Sequence, residues 1–380
     1  MSISRPLSES PWPRSEPAAL TAGPEQESLR DAARGILGRH SSLEQVRAAS
    51  ATEAGYSDDQ WARLVDDMSV TTLAMPESDG GLGYGMVELG IILEECGRSL
   101  ASEPIYSSAV LGIQALTMAS RKVDAGLLEA VRNGTAIAAV SALTPDFDQV
   151  EATRSDDGWV VSGQVLHVVG GAHADVAVAS SRSTEGLGVY AVTIGDQVTR
   201  KERAVLDPTR RQADLVLENA PATLLALDSD ADRLISHLRD LSTLALSCEN
   251  TGLADALLEM TVAYVKTRNQ FGRAIGSFQA VKHRLADLLM EVERARSAAR
   301  YAAAVYDQDP DEAHLAIAVA GAVCSDAAIH AAHEVVQLHG GVGFTWEHAA
   351  HSYFRRAMGN EGIQGNSRTH RARIADLIGI

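Results

Sequence analysis

The sequence is poor in cysteine, in aromatic side chains and in positive charge. Its three cysteines, Cys96, Cys248 and Cys324, form no Cys-x-x-Cys pair, so we expect buried thiols in a reduced, cytoplasmic compartment. A net charge of −17 argues against a nucleic acid partner, because phosphate backbones need a basic surface. We find no apolar run of transmembrane length and no signal-peptide core, and we expect no membrane span.

The composition favours helices over a large β-sandwich. Only 4% of the residues are aromatic, whereas 46% are hydrophobic and many of these are alanine or leucine. A chain of 380 residues suggests two or three domains. We divide it into a flexible N-terminal tail (1–24), an N-terminal helical domain (25–134), a middle β-domain (135–225) and a C-terminal helical-bundle domain (226–380).

The local patterns support this order of helices, strands and helices. One helical face recurs at i, i+3, i+4, i+7 and i+8 in Leu29, Ala32, Ala33, Ile36 and Leu37. Short β-type runs follow residue 135, with Asp156-Asp157-Gly158 as a hairpin turn between two of them. An alanine-rich helix over 312–339 suits close packing in a four-helix bundle. The predicted class is therefore α+β, mainly α.

The segment from Tyr264 to Lys282 carries the most informative local pattern. Two glycines break the helical period, and Ser277 is positioned to cap the helix that follows. Inside the break, Arg268, Gln270 and Phe271 suit a phosphate and a flat heterocycle, since arginine offers a planar fork and phenylalanine a stacking face. The alternative is a plain helix–helix turn with an exposed arginine.

Two strings in the C-terminal part resemble signatures of the acyl-CoA dehydrogenase family. They are Arg-Asn-Gln-Phe-Gly at 268–272, followed by Phe-Gln-Ala-Val-Lys at 278–282, and Gln-Leu-His-Gly-Gly-Val-Gly-Phe at 337–344. Further matches run from about residue 25 onward. The resemblance implies a three-domain fold, FAD as cofactor, an acyl-CoA thioester as substrate, α,β-desaturation as the reaction, and an electron-transfer acceptor.

The resemblance also implies half of an FAD site. In the family, these two motifs contact the adenine and pyrophosphate end of a flavin that a neighbouring subunit holds. The corresponding residues here are Arg268, Gln270, Phe271, Gln337, Gly340 and Gly341. All six are of a suitable type, because glycines let backbone N–H groups approach phosphate closely.

The motifs that hold the flavin ring in the family are altered. Where the family has Thr-Glu-Pro-x-x-Gly-Ser-Asp, this chain reads Thr-Pro-Asp-Phe-Asp-Gln at 144–149. An ungapped match places His167 in the slot of the family's tryptophan and Val169 in that of its threonine or serine. Val169 has no hydroxyl for the flavin, and His167 is either a replacement or a structural residue.

The family's catalytic base is missing from both of its usual positions. Abstraction of the α-proton needs a carboxylate within reach of the substrate carbon. One slot holds Gln364 and the other Ser242, and neither can serve as that base. Glu361, Glu249 and Asp240 are the nearby carboxylates. The geometry of a helix disfavours Asp240 and Glu249, whereas Glu361, three residues from Gln364, is able to face the same way in a last helical turn. Glu361 is therefore the fallback base, and the alternative is a solvated charge.

We predict no metal site. The segment from His333 to Gln337 resembles the zinc motif His-Glu-x-x-His, but glutamine replaces its second histidine. His348 and His351 share a helical spacing, and we expect them at an interface.

Three functions stay open. The chain is either the base-lacking subunit of a heterotetramer, completing the FAD site of a second acyl-CoA dehydrogenase-family subunit as in actinobacterial-type α2β2 enzymes, or a self-sufficient homo-oligomeric enzyme with a relocated base. The third possibility is a flavin-free scaffold with this fold.

Overall fold

The computed structural model confirms the predicted α+β class with a majority of helices. Helices occupy the chain up to Arg132, strands run from Ala138 to Leu227, and helices follow from Ser229. The predicted tail falls almost entirely outside the described part of the chain. The structure describes residues 12–13, 21–40, 42–141, 143, 150–155 and 158–380.

The N-terminal helices form where the sequence supplies starts and apolar faces. Pro24 begins the first helix, and the Ser57 side chain accepts the Gln60 N–H at the start of the third. The helices are α1 (Pro24–Leu37), α2 (Leu43–Ser50), α3 (Asp58–Asp66), α4 (Met86–Ser99), a π-helix (Ile105–Gly112), α5 (Ile113–Thr117) and α6 (Ala125–Arg132).

The apolar pattern of residues 107–120 predicts one regular helix, and the observed segment differs from it. The chain is π-helical over Ile105–Gly112 and α-helical only over Ile113–Thr117. All eight residues of the π-helix are buried, so no alternation of polar and apolar residues marks its period in the sequence. The Ser108 hydroxyl accepts the Ala138 N–H at 3.1 Å and ties this segment to the first strand.

The strands close on themselves. Strands β2, β3, β7, β5 and β4 pair in a ring, with β1 beside β4 and β6 beside β7. Antiparallel pairing of Ser155 with Gly158 confirms the predicted hairpin, although residues 156–157 lie outside the described chain. The bounds are β1 (Ala138–Val140), β2 (Val150–Ser155), β3 (Gly158–Val169), β4 (Val176–Ser183), β5 (Gly186–Thr193), β6 (Val198–Glu202) and β7 (Gln212–Leu227).

Long helices dominate the C-terminal part. Two short strands, β8 (Asn269–Gln270) and β9 (Arg273–Ala274), interrupt them. The prediction that Ser277 caps the next helix is wrong: its hydroxyl donates to the Ala274 carbonyl, and Phe278 occupies the cap position. The helices are α7 (Ser229–Thr267), α8 (Gln279–Gln308), α9 (His314–His339), α10 (Ala350–Gln364) and α11 (Ser367–Ile378).

Helix α9 is the core helix of this part. It packs against α8, α10 and α11, and its alanines allow that close approach. By length and composition the segment His314–Gly343 is able to cross a membrane, so the expectation that no apolar run reaches that length is wrong. However, 72% of its apolar window is buried inside the protein, as in the core helix of a bundle.

The chain divides into two compact units. One contains residues 1–45, 85–101 and 243–380, and the other contains residues 46–84 and 102–242. The first unit therefore joins α1 and α4 to helices α8 to α11 and to the part of α7 from residue 243 onward, and the second unit holds the seven-stranded sheet. The four-part division by sequence order stays a prediction.

Glycines set the distance between α4 and α7 in the first unit. A Cβ atom on Gly97 would lie 2.0 Å from the Glu249 carbonyl oxygen, and one on Gly252 would lie 1.8 Å from that of Glu94. The two backbones are thus in direct contact.

The three cysteines are free and buried, as expected, and burial raises the pKa of Cys324 to about 12.

Candidate functional site

A two-residue hairpin carries the first signature motif. Strands β8 and β9 pair, and Phe271 and Gly272 at the tip have φ of 52° and 80°, both in the left-handed region. This conformation is strained for phenylalanine. The Phe271 ring is nevertheless 91% exposed, and its edge faces the Phe278 ring at 6.1 Å between ring centroids. An aromatic ring held in solvent at this cost is suited to contact a molecule outside the chain.

A glycine turn carries the second motif. Helix α9 ends at His339, and Gly340 follows with φ of 61° and ψ of −141°, a conformation that favours glycine. A Cβ atom at Gly340 or Gly341 would meet nothing within 4 Å. Packing within the chain therefore does not require a glycine at position 341. Both residues are exposed, as is Gln337 one turn earlier, so the turn is open to an external ligand.

A stack of rings joins the two motifs. Tyr264, in the last turn of α7, lies against His339 with 4.1 Å between ring centroids and 23° between planes. The Tyr264 carbonyl accepts the N–H of Arg268 at 2.9 Å, and the Arg268 carbonyl accepts the N–H of Ile275 at 2.8 Å beyond the hairpin. The structure thus brings together the segments that carry the six predicted FAD-site residues, and all six residues are exposed to solvent.

Neither base slot holds an acid, and their surroundings differ. The Ser242 hydroxyl is buried and pairs with the Tyr106 hydroxyl at 2.7 Å. Gln364 is the last residue of α10, and its amide nitrogen and oxygen are both buried without a partner in the described part of the protein. No local pattern identifies Tyr106 as the partner of Ser242, because 136 residues separate them.

Glu249 is engaged in a structural ion pair. One of its carboxylate oxygens accepts from Arg356 at 2.9 Å and from Asn360 at 3.1 Å, and Glu249 and Arg356 are 1% and 0% exposed. The same guanidinium donates to the Ala101 carbonyl at 2.9 Å. A carboxylate buried in this way is poorly placed to reach a substrate carbon.

The two other carboxylates differ in exposure. Asp240 is 1% exposed on α7. Glu361 is partly exposed in the last turn of α10, three residues before Gln364, as the sequence predicted. Of the three candidates, Glu361 alone is open to solvent, so it stays the fallback base.

The ring-end positions are only partly described. Residues 144–149 lie outside the described chain. His167 has φ of 56° within an irregularity of the β3–β7 pairing, and its N–H donates to Asp214 at 2.9 Å. An ion pair with Arg203 lowers the pKa of Asp214. The His167 ring is exposed, and Val169 is half-buried. The region thus shows an anchored bulge at the tryptophan slot and no side-chain hydroxyl at position 169.

Within the described part of the chain, the histidines do not gather into a metal centre. Among the described residues, no group of three or more metal-ligating side chains converges. Nδ1 of His351 bonds to the His348 carbonyl at 2.6 Å, and Nδ1 of His348 accepts the Ala350 N–H at 3.2 Å. These histidines therefore order the turn after α9, in the segment that follows the exposed glycines.

Comparison with family models decides the relationship. Residues 23–131 match the acyl-CoA dehydrogenase N-terminal domain, and residues 238–379 match the acyl-CoA dehydrogenase C-terminal domain. The chain belongs to the acyl-CoA dehydrogenase family. Acyl-CoA dehydrogenases are oxidoreductases that act on CH–CH groups, and members of the family bind FAD.

Individual relatives span nearly the whole chain. The acyl-CoA dehydrogenase IpdE2 of Mycolicibacterium smegmatis is 31% identical over 92% of this chain and 97% of its own. Among solved structures, the ChsE4-ChsE5 complex of Mycobacterium tuberculosis matches with a TM-score of 0.86 and 28% identity, over 95% of this chain and 99% of the other. A variant of the Tcur3481-Tcur3483 steroid ACAD matches with 0.83 and 27%, over 94% and 99%.

The acyl-CoA dehydrogenase cofactor fits one half of this chain better than the other. The exposed Phe271 ring is suited to stack on adenine, and Arg268 and the Gly340–Gly341 backbone are suited to phosphate oxygens. At the ring end, the described residues include an exposed bulge at His167 and an apolar Val169. The fit is therefore good for the adenine and pyrophosphate end.

Proposed function

We propose that this chain is the base-lacking subunit of a heteromeric acyl-CoA dehydrogenase. The observation that carries the proposal is an asymmetry between two sites. The adenine-end motifs are folded and open to solvent, with Phe271 91% exposed, whereas Gln364 and Ser242 occupy the base slots. Such a chain is equipped to complete a flavin site and is not equipped to abstract a proton.

The solved relatives support a partner of the same family. ChsE4-ChsE5 is a complex, the Tcur3481-Tcur3483 steroid ACAD likewise carries two protein names, and a chain of each aligns with nearly all of this one. We infer an α2β2 assembly. Because one of these relatives is a steroid ACAD, we infer a CoA thioester with a polycyclic acyl group as substrate. Three free, buried cysteines fit our assignment to the cytoplasm.

The roles of the residues follow from their chemistry. Arg268 presents a planar fork to the pyrophosphate, and Phe271 stacks on the adenine. Gly340 and Gly341 let backbone N–H groups approach the phosphate oxygens. FAD, when bound, supplies the acceptor for the hydride that leaves the β-carbon. In this reading the partner subunit supplies the carboxylate for the α-proton, and a separate electron-transfer acceptor reoxidises the assembly.

Expression alone and with a partner tests the assignment. The protein is purified by itself and then together with the acyl-CoA dehydrogenase-family protein encoded next to it, and visible absorption and native mass are recorded. We expect a colourless protein alone and a yellow complex, with about one FAD per pair of subunits. A protein that is yellow alone, and that an acyl-CoA bleaches, would overturn the proposal. An assembled complex without flavin would favour the flavin-free scaffold.

Substitutions in the hairpin test the shared site directly. Phe271→Ala should weaken FAD binding to the complex by about 10-fold or more, since stacking on a base contributes ~1–3 kcal/mol. Arg268→Ala should weaken it comparably, because the arginine contact with phosphate is charge-assisted. Lys266→Ala, which removes another exposed cation two residues earlier, is the matched control and should leave FAD affinity unchanged. Equal affinity in all three variants would show that the hairpin does not contact the cofactor.

The second candidate is a self-sufficient enzyme with Glu361 as base. Its favouring observation is the position of Glu361, a partly exposed carboxylate in the same helical turn as Gln364. In the flavin-loaded protein, Glu361→Gln should then abolish turnover, and Glu347→Gln, at another exposed acid, should not. Full turnover in Glu361→Gln would end this alternative.

A further inference from the structure

The ring stack between the two signature motifs has a role that neither motif explains. We infer that His339 is a positioning residue for the FAD half-site, because its ring fixes the glycine turn and the hairpin relative to each other. This inference rests on the proposed function and deepens it.

His339 is held tightly on its own side of the junction. Its Nδ1–H donates to the Val335 carbonyl at 2.7 Å, which sets the ring orientation and leaves Nε2 as a buried acceptor. Gly343 approaches from the turn, where a Cβ atom would come within 3.1 Å of the His339 Cβ. The residue that precedes Gly340 therefore cannot turn without moving the glycine backbone.

The opposite side of the junction is the end of α7. The Tyr264 ring lies nearly parallel to the His339 ring at 4.1 Å, and the Tyr264 carbonyl holds both the Arg268 N–H and, at 3.1 Å, the Thr267 hydroxyl. A shift of the Tyr264 ring would thus be transmitted to the residue that begins the hairpin motif.

A third ring closes the stack. His348 lies 4.5 Å from His339, tilted by 51°, and its Nδ1 accepts the Ala350 N–H. Burial lowers the pKa of both His339 and His348, so both rings are neutral near pH 7. Neutral rings stack without charge repulsion, and the contact is therefore suited to act as a rigid spacer between the motifs.

The experiment measures FAD affinity of the two-subunit complex by flavin fluorescence, with unfolding temperature recorded separately for each variant. His339→Leu should weaken FAD binding roughly 5- to 10-fold while the complex still assembles, a size typical of a lost aromatic pair. His339→Phe keeps a flat ring and should stay within about 3-fold of the wild type. His173→Leu removes a buried histidine that contacts Tyr56 elsewhere, and it should alter stability without altering FAD affinity.

Several outcomes separate the possibilities. A His339→Leu variant with lower unfolding temperature and unchanged FAD affinity would overturn the inference, because its role would then be structural only. If that variant does not fold, Tyr264→Leu and Tyr264→Phe replace it, and equal FAD affinity in these two would overturn the inference as well. A wild-type complex that holds no FAD would instead overturn the proposed function, before any variant is compared.

Discussion

Replacing Glu249 by glutamine removes the charge that balances a guanidinium buried completely in the protein. Arg356 is 0% exposed and Glu249 1%, and the two groups are 2.9 Å apart. Removing one partner of such a pair leaves an unbalanced charge in the interior, which costs about 3–5 kcal/mol. Glutamine retains an acceptor oxygen for Arg356 and Asn360, so we expect a loss near the lower limit, about 3 kcal/mol.

Replacing Arg356, the other partner of the pair, should lower the free energy of unfolding by more than Glu249→Gln does. Arg356→Met also removes the donor to the Ala101 carbonyl, and a buried carbonyl without a donor adds about 1–3 kcal/mol. The double variant Glu249→Gln with Arg356→Met buries no charge at this site, so its loss should be well below the sum of the single losses. Asn360 retains its bond to Asn250 at 2.8 Å in every variant, which limits secondary effects.

Chemical unfolding followed by far-ultraviolet circular dichroism measures these free energies. The matched control is Glu129→Gln, which breaks an ion pair with Arg132 on the surface and should cost under about 1 kcal/mol. A change under about 1 kcal/mol for Glu249→Gln, or additive losses in the double variant, would refute the buried-pair reasoning. Intact stability together with lost turnover would instead identify Glu249 as the base.

Two further predictions concern the pH dependence of the free energy of unfolding and the close packing of α4 against α7. Burial lowers the pKa of His173 to about 4, whereas the unfolded chain takes up this proton near pH 6.5, so His173 contributes stability that is complete above pH 6.5 and is lost as the pH falls to about 4. His173→Phe should therefore remove roughly 3 kcal/mol of acid dependence from the free energy of unfolding, and an unchanged pH profile would contradict this. Gly252→Ala should destabilise the protein by several kcal/mol, since its Cβ would overlap the Glu94 carbonyl, while Gly35→Ala, in open space on α1, should stabilise it by about 0.5–1 kcal/mol. Equal unfolding free energies for the two alanine variants would show that α4 and α7 move apart with little loss of stability.

Patterns over short stretches of sequence were sufficient for most elements and for the identity of the motifs. The period of α1 and the break after Gln308 come from spacing that a reader of the sequence can see. The π-helical period of Ile105–Gly112 and strand β6 have no signature in the sequence. Every residue of the π-helix is buried and only the first residue of β6 is buried, so neither segment shows an alternation of polar and apolar residues. Leu285, Leu288, Leu289 and Val292 follow the helical period in the sequence, which predicts one apolar stripe on α8, yet Leu289 is 48% exposed. The period does not reveal which part of a helix face another element covers.

The site residues also fall into those that the sequence identifies and those whose roles depend on tertiary contacts. Arg268, Phe271 and the glycines were identified from residue type and order. The capacity of an arginine, an aromatic ring or a glycine backbone to bind phosphate or a heterocycle depends on the residue type and is therefore visible in the sequence. The contacts that assign roles join distant positions. Glu249 and Arg356 lie 107 residues apart, and no local pattern around either residue indicates a buried ion pair.

The sequence by itself determined the class of fold, the family and the chemical character of each motif, because these depend on side-chain type and on spacings of a few residues. The tertiary structure alone decided which carboxylate is free and how the two motifs meet. Glu249 is disfavoured as the catalytic base because it is buried beside Arg356. The hairpin and the glycine turn are joined by the stack of Tyr264 on His339. Burial and contact are properties of the packed chain, and no local pattern carries them.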